Sequence, residues 1–197
     1  MPTGHSTRRP SDPAARHVAG RPTTACRPGG TRYSRRMAAP RSLSLTLPSP
    51  EAAAALARRL AHDLRPGDTL LLEGPVGAGK SHFARALIAE LLPGPEDIPS
   101  PTYTLVQTYE GRSGPVWHAD LYRLGDPGEL IELGLEEAFG TAICVVEWPE
   151  CLGDLAPPSA LRLRFATGGS PEERRLDLSW TDDDWTHRLE RIADADA

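Results

Sequence analysis

Apolar and polar residues alternate strictly along Ser42-Leu43-Ser44-Leu45-Thr46-Leu47, a period of two that predicts a half-buried strand. Ser49-Pro50-Glu51 then reads as a helix start. Ser49 is placed to cap, Pro50 occupies the first helical position, and Glu51 faces the dipole. The spacing predicts that helix to about Leu64, where Arg65-Pro66-Gly67-Asp68 stops it. Thr69-Leu70-Leu71-Leu72 is a short continuous apolar run, the pattern of a strand buried on both faces. Residues 81–92 carry Phe83, Ala84, Leu87, Ile88 and Leu91 at helical spacing. Residues 93–97 read as a loop.

Thr102–Tyr109 and Val116–Tyr122 are β-rich and flank a turn at Glu110–Gly114, which predicts a hairpin. A helical stretch follows from Asp126 to about Phe139, with Gly134 as its breaking point. Thr141–Val146 reads as another buried strand, ending in Glu147-Trp148-Pro149. A second hairpin, Leu161–Phe165 with Arg175–Ser179, turns around Gly168-Gly169. Asp182 caps a last short helix bearing Trp185, Leu189 and Ile192. No segment repeats. The pattern predicts one α/β domain over residues 42–193, a mixed sheet with a parallel core, antiparallel hairpins and helices on both faces.

Residues 1–41 do not fit this pattern. They are rich in Pro, Gly, Arg, Ser and Thr and have almost no large apolar side chains, so they predict a disordered tail. Three readings of the tail stay open. The favoured one is a start placed too early, with Met37 as the initiator. The others are a plain disordered tail and an Arg-rich targeting segment. The tail also skews the charge. It holds nine Arg against one acid, Asp12, whereas residues 42–197 hold 13 basic and 26 acidic residues. An acidic folded part with no broad basic stripe argues against a direct grip on nucleic acid, DNA included. No apolar run approaches the roughly 20 residues that span a bilayer. Three cysteines, Cys26, Cys144 and Cys151, are odd in number and lack zinc spacing, which fits a reducing cytoplasm; Cys144 reads as a buried thiol.

The chain has one lysine, and it lies in Gly74-Pro75-Val76-Gly77-Ala78-Gly79-Lys80-Ser81. This fits the Walker A pattern, between a predicted strand and a predicted helix as that pattern requires. Glycines let successive N–H groups turn inward around phosphate oxygens. The compact ammonium of Lys80 reaches the β- and γ-phosphates, and Arg is a poor substitute there. The Ser81 hydroxyl is placed to ligate Mg²⁺, at the positive end of the helix dipole. Such a loop needs an acidic partner at a strand end. Ile143-Cys144-Val145-Val146-Glu147 has the Walker B form, with Glu147 at the edge where open sheets bind ligands. Asp120 ends another strand and is the second candidate carboxylate.

Taken together, Ser100–Val106 (SPTYTLV), His118–Leu124 (HADLYRL), Val146–Glu150 (VEWPE) and the Walker loop resemble the TsaE (YjeE) family, over about residues 43–180. That family comprises small P-loop ATPases of bacterial tRNA threonylcarbamoyladenosine biosynthesis. The resemblance implies ATP and Mg²⁺ as cofactors, with the 74–79 loop (Gly74, Pro75, Val76, Gly77, Ala78, Gly79), Lys80, Ser81 and His82 around the nucleotide. It implies Ser81, Glu147 and Asp120 as metal-side ligands, and Asp120 and Glu147 as the catalytic carboxylates, Asp120 through an H-x-D-x-Y-R motif. Ser100-Pro101-Thr102 resembles a segment that senses the γ-phosphate, and Trp148 follows the acid as in the family. Ser49 and Arg174 are implied at the base or sugar. Ser81 stands where the family more often has Thr, and Pro75 where it usually has an acid. The implied partners are TsaD-like and TsaB-like proteins, which carry out the transfer, with tRNA reached only through them. The implied activity is an ATPase, slow alone and partner-dependent.

Other classes fit the sequence less well. A small-molecule kinase needs an acceptor pocket and an Arg-rich lid, yet only Arg112 and Arg123 lie between the Walker helix and Glu147. A GTPase needs a second lysine for its guanine signature. A nucleotide-sensing module without turnover would not need both Asp120 and Glu147.

Overall fold

The computed structural model describes residues 39–124 and 127–194. Residues 1–38 of the tail, Met37 and Cys26 among them, and Asp126 lie outside these residues, whereas Arg41, read as the end of the tail, opens the first strand. Seven strands form one mixed sheet in the order β1-β7-β6-β2-β5-β4-β3. They are β1 (Arg41–Leu47), β2 (Thr69–Glu73), β3 (Val106–Gly111), β4 (Gly114–Asp120), β5 (Ile143–Glu147), β6 (Leu161–Thr167) and β7 (Arg174–Trp180). The central pairs β6–β2, β2–β5 and β5–β4 are parallel, and the flanking pairs are antiparallel. The predicted fold class is the observed one.

Alternation along β2 divides the core. Leu70 and Leu72 face α1 (Pro50–Ala61), α2 (Lys80–Leu91) and α5 (Asp183–Asp194), in a cluster that includes Leu60, Phe83, Phe165 and Leu189. Phe83 and Phe165 meet edge to face at 5.4 Å. Leu71 faces the other way, with Val146 and Ala119, against Leu130 of α3 (Pro127–Glu132) and Leu135 of α4 (Leu135–Thr141). Each fully buried Leu contributes about 1.5–3 kcal/mol by leaving water. Cys144 is fully buried in β5, and burial pushes its thiol up to about 12. No helix among the described residues is long and apolar enough to cross a membrane.

Several element ends differ from the sequence reading, and four of the differences have a clear local reason. α1 ends at Ala61, not Leu64. Its last turn tightens into bonds from Asp63 N to Leu60 O and from Leu64 N to Ala61 O, just before Pro66. β3 starts at Val106, not Thr102, because residues 101–105 form a turn closed by Leu105 N donating to Pro101 O at 2.7 Å. Leu105 sits there at φ 63, which no strand tolerates. β4 ends at Asp120, not Tyr122, since Asp120 Oδ1 accepts from Tyr122 N and turns the chain. β5 starts at Ile143 because α4 runs through Thr141; Gly134, at φ 71, separates α3 from α4. A 3-10 turn at Pro149–Leu155 went unread in the sequence.

Candidate functional site

The C-terminal ends of β2, β5 and β4 lie on one edge of the sheet, where open α/β sheets place their ligands. The Walker loop leaves that edge after β2 and enters α2. Gly74 sits at φ 131, and a Cβ there would lie 2.4 Å from Phe165 O, so only glycine fits. Gly79, at φ 104, is the N-cap of α2 and offers no side-chain cap. The first N–H groups of α2 are therefore left for an anion.

Lys80 is only 5% exposed. Its ammonium donates to Gly74 O at 2.7 Å and Pro75 O at 2.9 Å, and lies 3.8 Å from the centre of the Trp148 ring. Burial lowers its pKa, while Glu147, Glu150 and Asp120 push it back up. Trp148 holds a left-handed backbone at φ 58, fixed by its N–H on Leu72 O, and Tyr122 packs against it at 4.8 Å.

Asp120 and Glu147 are register partners on adjacent parallel strands, yet they belong to separate hydrogen-bond webs. Glu147, 1% exposed, accepts the Ser81 hydroxyl on Oε2 at 2.6 Å and meets His118 Nε2 on Oε1 at 3.0 Å. Asp120 accepts the Thr102 hydroxyl at 3.0 Å and Tyr122 N at 3.1 Å, and Thr102 in turn meets Ser100 at 2.9 Å. A hydroxyl and a carboxylate oxygen in contact are the hard donors that Mg²⁺ takes, with phosphate and water completing its octahedron. Among the described residues no cluster of three or more His, Cys, Asp or Glu could hold a metal without such added oxygens. The residues present fit Mg²⁺ in that shared form.

These groups open into a cleft of about 450 Å³. Ten predicted residues line it: Val76, Gly77, Gly79, Lys80, Ser81, His82, Thr102, Asp120, Glu147 and Trp148. Ala78 is buried behind them, and Gly74 and Pro75 border a neighbouring cleft beside Arg162 and Arg164. Ser49 and Arg174 do not line it. The Ser49 hydroxyl caps α1 by accepting from Ala52 N, and the Arg174 guanidinium donates to Pro171 O and Glu173 O. Both still lie on the same sheet edge, and His82 reaches Pro50 O at 3.0 Å beside Ser49. Arg85, Tyr122 and His118 join the site without having been predicted there, although the H-x-D-x-Y-R motif contains the last two. Arg85 was legible, since it lies four residues after Ser81 on one helix face. Arg112 and Arg123, the cations weighed from the sequence, are engaged elsewhere, with Glu90 O and over the Tyr103 ring respectively.

A parallel-centred sheet, a Walker loop from β2 into α2, and a carboxylate ending the adjacent strand define a P-loop NTPase fold. Residues 47–176 match the family model for the threonylcarbamoyl adenosine biosynthesis protein TsaE. The Rickettsia conorii tRNA threonylcarbamoyladenosine biosynthesis protein TsaE is 41% identical over 120 residues, covering 61% of this chain and 69% of that protein. Its Bacillus subtilis namesake is 37% identical over 125 residues, covering 63% and 77%. The crystal structure of Bacillus subtilis YdiB superposes with a TM-score of 0.66 at 28% identity, over 81% of this chain and 99% of that one. The chain belongs to the TsaE family.

Proposed function

We propose that this protein is the ATP-binding and ATP-hydrolysing component of tRNA threonylcarbamoyladenosine synthesis. On this reading it acts on a TsaD–TsaB complex and does not itself transfer the threonylcarbamoyl group. The observation that carries the proposal is the convergence of Lys80, Ser81 and Glu147 at the open end of α2, in a protein of this family.

On this reading the γ-phosphate takes over the ammonium of Lys80 from Gly74 O and Pro75 O, and the free N–H groups of the loop and α2 hold the phosphate oxygens. Mg²⁺, when bound, supplies charge neutralisation on those oxygens beside Ser81 and Glu147. Asp120, held against Thr102 and not Ser81, is placed to orient water or the 100–102 segment.

Hydrolysis by the chain alone is slow in this proposal. Arg112 and Arg123 are engaged away from the cleft, and Arg85 is exposed at it, where solvent screens its charge. Charge developing on the γ-phosphate is then incompletely matched until the partner pair docks. The test is ATP and GTP turnover with and without a TsaD–TsaB pair. Slow turnover of ATP, changed severalfold by the pair and not reproduced with GTP, is expected. Fast turnover that ignores the pair overturns the proposal.

A further inference from the structure

His118 is fully buried in β4, facing the Walker helix, and neither the Walker loop nor the Asp120 web uses it. Its Nε2 lies 3.0 Å from Glu147 Oε1. A carboxylate accepts, so this nitrogen carries the hydrogen and donates. Its Nδ1 is buried and has no hydrogen-bond partner among the described residues. A ring kept for packing alone would be an expensive choice, since a buried polar atom without a partner costs about 1–3 kcal/mol. An apolar side chain at this position would avoid that cost.

What the ring does is hold one oxygen of Glu147. That carboxylate is itself 1% exposed and has two side-chain partners, one on each oxygen. His118 takes Oε1 from the sheet side, opposite Val145 in the register and two residue pairs below Glu147, on the same face of the sheet. Oε2 is thereby directed at the Ser81 hydroxyl at the start of α2. Without the His118 N–H only the Ser81 hydroxyl holds the carboxylate, whose charge also acts on the ammonium of Lys80.

We infer that His118 is a positioning residue that aims the Glu147 carboxylate at Ser81, and so sets the affinity for the divalent cation that accompanies the nucleotide. This rests on the Mg²⁺–ATP reading above. Groups behind a metal-binding carboxylate typically tune metal affinity 10–100-fold.

The experiment is calorimetric titration of ATP, with and without Mg²⁺, into the full chain and three variants. His118→Met removes the donor at similar volume. His118→Gln returns an N–H near the position of Nε2. His118→Asn keeps an amide but withdraws it from Glu147, and replaces the Met variant should that one fail to fold. Expected is a Mg²⁺ half-saturation raised about 10–100-fold in His118→Met or His118→Asn, Mg²⁺-free ATP binding within about threefold of wild type, and near-normal values for His118→Gln. Unchanged Mg²⁺ dependence in a folded Met or Asn variant overturns the inference. So does an equal loss of Mg²⁺-free binding, which marks a purely structural role. Wild-type protein that binds no ATP, or binds it indifferently to Mg²⁺, overturns the functional reading itself and this assignment with it.

Discussion

The two halves of the sheet use polar residues in opposite ways. In the central strands β2, β5 and β4 both faces are largely apolar, the buried carboxylates stand at the C-terminal ends, and the buried His118 of β4 contacts one of them. There Asp120 and Glu147 pair in register, with Ser81 and Lys80 above them. In the outer strands β1, β7 and β6 polar residues recur at every second position, on a face turned to solvent. Arg162 and Arg164 bind Glu73, and Arg175 binds Asp177, as partly exposed pairs that contribute about 0–1 kcal/mol each. A polar residue is therefore informative about chemistry in the first half and nearly uninformative in the second.

The sharpest way to break this contrast is at Lys80. Lys80→Ala is expected to lower ATP affinity at least about 100-fold, since two or more charge-assisted bonds are lost. Lys80→Arg should be nearly as poor. Equilibrium binding within about threefold of wild type would remove the central site. The same binding has a predicted pH dependence. Burial lowers the Lys80 pKa, so its charge is lost as pH rises through a value below the ordinary lysine range. ATP affinity should fall in that alkaline window and hold steady below it.

Stability should divide along the same line. Leu71→Ala, at a fully buried central position, is expected to cost about 2–5 kcal/mol in denaturant unfolding. Leu43→Ala, half out of water in β1, should cost about 1 kcal/mol. Equal costs would mean that the outer strands are as much core as the central ones.

Within the central half, the two carboxylates should fail differently. Glu147→Ala should raise the Mg²⁺ requirement for ATP binding about 10–100-fold, because Glu147 holds Ser81. Asp120→Ala should leave Mg²⁺-dependent binding within about threefold and slow turnover at least about tenfold, because Asp120 holds Thr102. The same shift in Mg²⁺ requirement for both would merge the two webs into one.

These webs also show what the sequence made legible. Lys80 and Ser81 stood out because they close a glycine-rich Walker loop, and Glu147 and Asp120 because each puts a carboxylate at a strand end, which is costly to bury unless used. The strands and most helices were readable for the same reason, that their periods are set by burial. Thr102–Leu105 was not, since its β-rich composition predicts the start of a strand. Tertiary bonds from Leu105 and Thr102 to β4 override that preference. His118 was invisible as a partner of Glu147, because the contact depends on strand order, which no local pattern reports.

The smallest effects are expected at the outer edge. Ser49→Ala should cost about 1 kcal/mol of stability through the lost helix cap. Arg174→Ala should leave folding unchanged, since its bonds to Pro171 and Glu173 carbonyls stay within one turn. Each should alter ATP affinity by less than about threefold. A loss above about tenfold at either, in a folded variant, would extend the nucleotide site across the sheet to β1 and β7.

The most direct test of the proposed role counts cycles. A TsaD–TsaB pair is supplied with threonylcarbamoyl-adenylate and excess tRNA, and modified tRNA is measured over many turnovers in four mixtures: without this protein, with it and ATP, with it and no ATP, and with Lys80→Ala and ATP. The account predicts continued modification only with the wild-type protein and ATP, and a stall after about one round per complex in the other three. Unimpaired multi-cycle modification without the protein, or equal support from Lys80→Ala, would contradict it.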